Sequence, residues 1–389
     1  MKDQLSDSIG LQSGQLALWD DVLAVEDPEF LSRHLITYIG NKRSLLRFIG
    51  RAVEQVKLEL GRDKLDVFDA FSGSGVVSRF FKAHAARIVS NDLEAYAAAV
   101  ARCFLTNKSA VDYPLLGEVV AELNSRVSVK SSTPGFIEEL YSPRDEENIS
   151  SEDRVFYTRE NARRLDSYRQ LLDTVPDTIR HLLMGPLLSK ASVHANTAGV
   201  FKGFYKDRRT GIGRFGGSGA DALTRIKGLI AMEVPVLSNF ECEFEVHQED
   251  ANALAGKLKG LDLAYIDPPY NQHPYGSNYF MLNLLLKYER PKEVSRVSGI
   301  PADWQRSGYN VRSKAMSLLR DLLEKIDSSY LLISFSNEGF IKPGEMVQML
   351  NAIGDVRVFE SRYNAFRGCR NFDGRSIHVT EQLFLVRKR

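Results

Sequence analysis

The tetrapeptide Asp267-Pro268-Pro269-Tyr270 follows directly on the apolar run 261–266. Two consecutive prolines make a stiff turn without backbone donors, here bracketed by a carboxylate and an aromatic ring. A carboxylate oxygen and a backbone carbonyl held in such a turn form an array of acceptors. That array suits the N–H donors of an exocyclic amine, with Tyr270 stacking on the ring that carries the amine. A plain tight turn with a helix-capping aspartate is the alternative for the tetrapeptide taken alone.

A second stretch, Asp69-Ala70-Phe71-Ser72-Gly73-Ser74-Gly75, ends the apolar run 65–71. Gly73 and Gly75 let backbone approach a ligand at the carboxyl edge of a strand, where open α/β sheets bind nucleotides. Position 78 is serine and no GK[ST] follows, so neither the dinucleotide fingerprint nor the phosphate-cradling loop is present. Asp92 ends the next short apolar run. It is placed either to take the hydroxyls of a ribose or to cap the following helix.

These groups need elements to position them. In residues 45–60, Leu46, Ile49, Val53, Val56 and Leu60 recur at three- and four-residue steps, which predicts an amphipathic helix stopped at Gly61. A strand over 65–71, a helix over 76–86, a strand over 88–90 and an alanine-rich helix over 93–105 make two strand–helix units in series. They predict an α/β fold with a doubly wound, mostly parallel sheet. The alternation lapses between about 108 and 235, where helix-biased segments lead into the glycine-rich stretch 211–219. It resumes with strands at 242–247, 261–266 and 330–335, and with a closing antiparallel pair at 356–363 and 381–386. The expected organisation is an N-terminal extension (1–30), a first core segment (31–107), an inserted, largely helical second domain (108–235) and a second core segment (236–389).

Composition sets the outer bounds. The 389 residues carry 51 Lys and Arg against 50 Asp and Glu, a formal net charge of +1. The charge is uneven in distribution, which matters more for a nucleic-acid partner than its sum. Residues 201–214 hold Lys202, Lys206, Arg208, Arg209 and Arg214 against Asp207 alone, interleaved with Phe201, Phe204 and Tyr205. A second basic stretch contains Arg362, Arg367, Arg370, Arg375, Arg387, Lys388 and Arg389. Either could equally be a solvated surface. Cys103, Cys242 and Cys369 lack metal-ligand or disulfide-framework spacing and read as reduced, mostly buried thiols. No stretch reaches the roughly 20 apolar residues of a membrane span, and the polar N-terminus is unlike a signal peptide, so a cytoplasmic location is expected.

Four stretches taken in order, Tyr38-Ile39-Gly40-Asn41-Lys42, Asp69 to Gly75, Asp92 and Asp267 to Tyr270, resemble those of the DNA N6-adenine methyltransferases of the DNA adenine methylase group, including restriction–modification enzymes. The resemblance extends over most of residues 35–389. It departs at Asn41, where relatives often have glycine, and in the acidic arm before Leu31. It implies a Rossmann-like core that binds S-adenosylmethionine, with Tyr38 and Lys42 holding the methionine part. The turn Asp69, Phe71, Gly73, Gly75 would pass under the cofactor, Asp92 would take its ribose and Asp250 its adenine. Asp267 would lie beside both cofactor and base, and Phe280 would pack near the cofactor.

The resemblance further implies double-stranded DNA as partner, a target-recognition role for residues 108–235, and a restriction-endonuclease counterpart in some members. The chain itself is expected to be a monomer or weak dimer. The implied reaction flips an adenine from the helix and methylates N6 without a metal or covalent intermediate, Asp267 and the Pro268 carbonyl accepting the amine hydrogens. The competing readings are an RNA or cytosine-N4 amino-methyltransferase, a DNA-binding regulator without catalysis and, more remotely, a dehydrogenase. Cytosine-N4 enzymes usually carry serine at the position of Asp267.

Overall fold

The computed structural model describes residues 24–33, 35–128, 135–217, 220–337, 339–364 and 378–389. Most of the N-terminal extension, and Arg367, Cys369, Arg370 and Arg375 of the C-terminal basic stretch, lie outside them.

The strands are β1 (Leu65–Asp69), β2 (Ala85–Asn91), β3 (Glu243–His247), β4 (Leu261–Ile266), β5 (Ser328–Ser336), β6 (Gly354–Asn364) and β7 (His378–Lys388), in the order β3-β2-β1-β4-β5-β7-β6. The first five run parallel, whereas β7 pairs antiparallel with both β5 and β6. This is the mixed, mostly parallel α/β sheet that the strand–helix alternation predicts. From β1 the chain winds outward through β2 to β3, then crosses back to β4 on the other side of β1. The reversal opens a crevice at the carboxyl ends of β1 and β4, the place where doubly wound sheets bind ligands. Asp69 ends β1, and Asp267 follows β4 directly.

In chain order, the helices are α1 (Pro28–Ser32), α2 (Leu46–Leu60), α3 (Val76–Phe81), α4 (Ala95–Leu105), α5 (Tyr113–Ser128), α6 (Phe136–Tyr141), α7 (Arg159–Leu172), α8 (Asp177–Val193), α9 (Ala220–Lys227), α10 (Ala251–Ala255), α11 (Tyr275–Asn278), α12 (Phe280–Lys287), α13 (Arg312–Lys325) and α14 (Pro343–Asn351). Helix α2 forms where the periodicity predicts it and stops at Gly61, whose left-handed conformation (φ 64°) suits glycine. The helix expected over 76–86 is shorter: α3 ends at Phe81, and Ala85 already pairs with Leu65 in the sheet. Helical periodicity does not register that a strand partner claims residues 85–91.

Between α4 and β3 the described residues contain five α-helices, α5 to α9, and no named strand. Their apolar side chains do not close on themselves. Leu165, Tyr168, Leu183, Leu187 and Phe201 share one cluster with Tyr96, Val100 and Phe104 of α4 and with Phe280, Met281 and Leu285 of α12. Helix α8 crosses α4 so closely that a β-carbon at Gly185 would stand 2.6 Å from Cys103 Sγ and 2.8 Å from its Cβ.

Alanine in place of glycine within a helix normally stabilises by about 1 kcal/mol. Gly185→Ala should instead destabilise by about 1–3 kcal/mol through overpacking. Urea unfolding followed by circular dichroism reads the sign directly.

Candidate active site

The crevice at the switch point is a cleft of about 880 Å³, its open mouth included. Tyr38, Lys42, Phe71, Gly73, Asp92, Asp250, Asp267 and Pro269 line it, bringing together residues separated by more than two hundred positions in sequence. Among the described residues its charged lining consists of the carboxylates of Asp92, Glu94, Glu249, Asp250 and Asp267 and one cation, Lys42.

The glycine turn is built from β1 outward. Gly73 (φ 51°) lies under the Tyr38 ring, where a β-carbon would come within 2.9 Å of Tyr38 Cε1. The Gly73 N–H donates to Asp92 Oδ2 at 2.7 Å, while Asp92 Oδ1 accepts the Glu94 N–H at 2.9 Å. Asp92 therefore holds the turn rather than capping α4, whose N-cap is Glu94. Asn91, almost fully buried, ties the neighbouring loops by donating to the carbonyls of Ala70 and Glu249 and accepting the Glu249 N–H. Asp69 lies behind the turn, buried, with Oδ2 accepting the Ser78 hydroxyl at 2.6 Å and Oδ1 without a hydrogen-bond partner among the described residues. Gly75 (φ 74°) caps α3 and, like Asp69, supports the turn without lining the cleft.

On the other wall, the ring of Tyr38 stacks on Tyr275 and Tyr279, with centroid separations of 5.0 and 4.7 Å. Tyr279 Oη accepts the Ile39 N–H, and the Tyr275 hydroxyl donates to the Ile39 carbonyl. The segment after the proline turn thus clamps the loop that carries Lys42. Phe280 does not line this cleft. Its ring packs with Tyr141, Phe156 and Phe201 from the α5–α9 region, and the aromatic beside the turn is Tyr275.

Asp250 lines the cleft while its Oδ1 caps α10 through the N–H groups of Asn252 and Ala253. Tyr309, from the segment that follows α12, packs edge-on against Phe71 at 5.2 Å and donates to Asn252 Oδ1 at 2.7 Å.

Asp267 stands where β4 ends, with 17 % of its side chain exposed toward the cleft. Lys42 Nζ approaches Asp267 Oδ1 to 3.2 Å without hydrogen-bond geometry, and Oδ1 has no other partner among the described residues. The same ammonium donates to Glu381 Oε1 at 2.8 Å, and Glu381, on β7, is fully buried. Tyr270 packs on Phe335 and lies 5.7 Å under Lys42 Nζ, while Pro269 borders the cleft.

Electrostatics follow from this crowding. Burial pushes Asp267 up to about 7, with Lys42 pulling down and Glu381 pushing up. Burial likewise lifts Asp69 to about 7, Asp92 to about 6 and Glu94 to about 7. For Lys42, burial favours the neutral amine, but Asp267 and Glu381 outweigh it and hold the ammonium well above its usual range.

Of the basic residues expected to meet nucleic acid, Lys206, Arg208, Arg209 and Arg214 are exposed and Lys202 is half-buried. Lys206 and Gly213 bridge antiparallel, and Asp207 Oδ1 accepts the N–H groups of Arg209 and Thr210, so the two arginines sit at a tight tip. Buried Asn196 fixes the base of this loop through the carbonyls of Val155 and Arg214 and the Gly216 N–H. The Phe201 N–H donates to the Asn278 carbonyl at 2.7 Å, joining the loop to α11 beside the cleft.

Sequence reasoning missed Glu94, Gly276, Gln305, Tyr309 and Glu381. Glu381 left a trace, since it shares a strand face with buried Leu383 and Leu385, an unusual place for a carboxylate. Gly276 is required because a β-carbon there would lie 2.4 Å from the Gln305 carbonyl oxygen. Nothing local in the sequence marks that contact.

Residues 38–349 match the family model for D12 class N6 adenine-specific DNA methyltransferase. Among known proteins, the type II methyltransferase M.NlaIII of Neisseria lactamica is 25 % identical over 365 residues, covering 90 % of this chain and 100 % of its own. The type II methyltransferase M.CviAII of Paramecium bursaria Chlorella virus 1 is 26 % identical, covering 90 % and 98 %. Modification methylase StsI of Streptococcus sanguinis is 26 % identical over 90 % of this chain and 52 % of its own length. With the family model spanning both walls of the cleft, the chain belongs to the D12 class of N6 adenine-specific DNA methyltransferases.

Proposed function

We propose that this DNA methyltransferase transfers the methyl group of S-adenosylmethionine to N6 of an adenine flipped out of double-stranded DNA. The observation that carries the reading is Asp267 Oδ1, an acceptor that among the described residues meets only the Lys42 ammonium, at 3.2 Å and without hydrogen-bond geometry, on the same cleft as Asp92 and the glycine turn. Such an atom costs stability unless a donor is supplied, and an amino group supplies one.

The cleft suits a cationic cofactor. Five lining carboxylates face one ammonium, which disfavours the phosphates of NAD or ATP and favours a sulfonium with an α-amino group. Asp92 and Glu94 would take the ribose hydroxyls, Phe71, Asp250 and Tyr309 would meet the adenine, and Tyr38 and Lys42 the methionine part. When bound there, S-adenosylmethionine would supply an electrophilic methyl group.

The chain's own residues would prepare the nucleophile. The adenine amine is a poor one because its lone pair conjugates into the ring. Asp267 and the Pro268 carbonyl, by accepting its hydrogens, favour a pyramidal nitrogen and stabilise the positive charge that develops on it. Tyr270 would hold the flipped base by stacking. We infer that residues 108–235 act as the target-recognition region, with Lys202, Lys206, Arg208, Arg209 and Arg214 meeting the DNA backbone. The enzyme would work in the cytoplasm, and the names of its relatives suggest a modification partner for a restriction endonuclease.

Asp267→Ala is expected to lower methyl transfer by roughly 10²- to 10³-fold or more, while cofactor binding and part of the DNA affinity survive. Labelled-methyl incorporation into unmethylated DNA, with single-molecule sequencing of the product, checks this. N6-methyladenine confined to one short motif and lost in the variant supports the reading; tight cofactor binding without DNA methylation by the wild type overturns it.

Arg208→Ala with Arg209→Ala should weaken DNA binding and flatten the log–log salt dependence by about 2, two phosphate contacts being lost. Fluorescence anisotropy at several salt concentrations measures the slope.

Asp69 has a folded-state value near 7, above its unfolded value, so the folded chain takes up its proton first as pH falls. Its ionised form therefore opposes folding at alkaline pH, and that cost disappears as pH drops below the unfolded value. Asp69→Asn should raise the Tm of the cofactor-free chain at pH 8, and the gain should shrink toward pH 5. Differential scanning calorimetry at the two pH values tests the sign.

A further inference from the structure

The proline turn and the cleft explain where Asp267 sits, but not why an ammonium 3.2 Å away leaves its Oδ1 without a hydrogen bond. The answer lies on β7, outside every stretch that carries the family resemblance. Glu381 is fully buried, and its Oε1 accepts both the Lys42 ammonium at 2.8 Å and the Ser334 hydroxyl at 2.6 Å. Ser334 is itself fully buried on β5, in the strand beside β7. Glu381 is therefore fixed by its own strand pairing and by a hydroxyl, so it anchors the lysine rather than following it.

We propose that Glu381 is a positioning residue for methyl transfer: it draws the Lys42 ammonium onto its own carboxylate, leaving Asp267 an acceptor atom available to the substrate amine. The proposal rests on the reading of Asp267 as the amine acceptor.

Two consequences of charge follow. A lysine paired with Asp267 alone would occupy the oxygen that the amine needs and weaken it as an acceptor. Without any lysine, the buried carboxylate would hold its proton at neutral pH. Sharing one cation between two carboxylates sets the acceptor between these extremes. The charged and titratable groups facing Asp267 are Lys42 from the loop before α2, Asp69 from β1, Glu381 from β7, Tyr265 from β4 and Tyr275 from α11, with Tyr270 of the proline turn beneath Lys42. The tyrosines Tyr265 and Tyr275 stay neutral, since burial holds both phenols well above their usual range. Lys42 and Glu381 are thus the opposed pair, the first lowering and the second raising the carboxyl of Asp267.

The test titrates Asp267 in the full-length protein by carbon-13 NMR of labelled aspartate carboxyls, its resonance identified by its loss in Asp267→Asn. Glu381→Gln keeps the shape of the side chain and should lower the Asp267 midpoint by roughly one pH unit. The acid limb of kcat should move the same way. Glu381→Asp retains the charge but withdraws it by one carbon, so its midpoint should fall between the two and stand in if the glutamine variant does not fold. Lys42→Met should move the midpoint upward.

An Asp267 midpoint in Glu381→Gln equal to that of the wild type overturns the proposal, as does an unchanged midpoint in Glu381→Asp if that is the variant that folds. A loss of Tm alone, without a shift in midpoint, marks a merely structural residue and overturns it too. The titration needs no methyl transfer. A wild-type chain that methylates no DNA would therefore overturn the functional reading separately.

Discussion

The buried ammonium of Lys42 is the interaction on which the site depends. Asp267 and Glu381 converge on it from β4 and β7, two strands separated in the sheet by β5. Isolated buried carboxylates neutralise or destabilise the fold, and a shared cation lets two of them approach. The loop that delivers Lys42 must consequently be held firmly. The stacked rings of Tyr38, Tyr275 and Tyr279, with two phenols gripping the backbone of Ile39, provide that hold.

The walls of the cleft are thus tied together at two scales. Locally, Asp92 ties Gly73 to Glu94, and Asn91 ties the ends of β1 and β3 together. Across the molecule, one apolar cluster joins α4 and α12 of the core to the helices between α4 and β3. The basic loop at 206–213 hangs from the same framework through Phe201 and Asn278. Asn278 ends α11, which also contributes Tyr275 to the cleft.

The acidity of the cleft complements this. Asp92, Glu94 and Asp267, which line it, all have carboxyls lifted by burial into the range of 6 to 7. Such groups are costly as anions in the empty protein and are relieved by a bound cation.

The sequence by itself determined the order of strand and helix, the glycine turn, the proline turn and the carboxylates at strand ends. Each is a short-range signal: apolar periodicity, missing β-carbons, or a proline that removes donors. The motif stretches also named a share of the residues that line the cleft, among them Tyr38, Lys42, Phe71, Gly73, Asp92 and Asp267. Only the tertiary structure decided that α3 stops at Phe81, because a neighbouring strand claims Ala85. It also decided that Phe280 belongs to an aromatic cluster outside the cleft, and that Glu381 reaches Lys42 across 339 positions. These outcomes depend on which surfaces meet. A side chain's partner in a sheet or a core is fixed by strand order and helix crossing, and neither is written in the residues next to it.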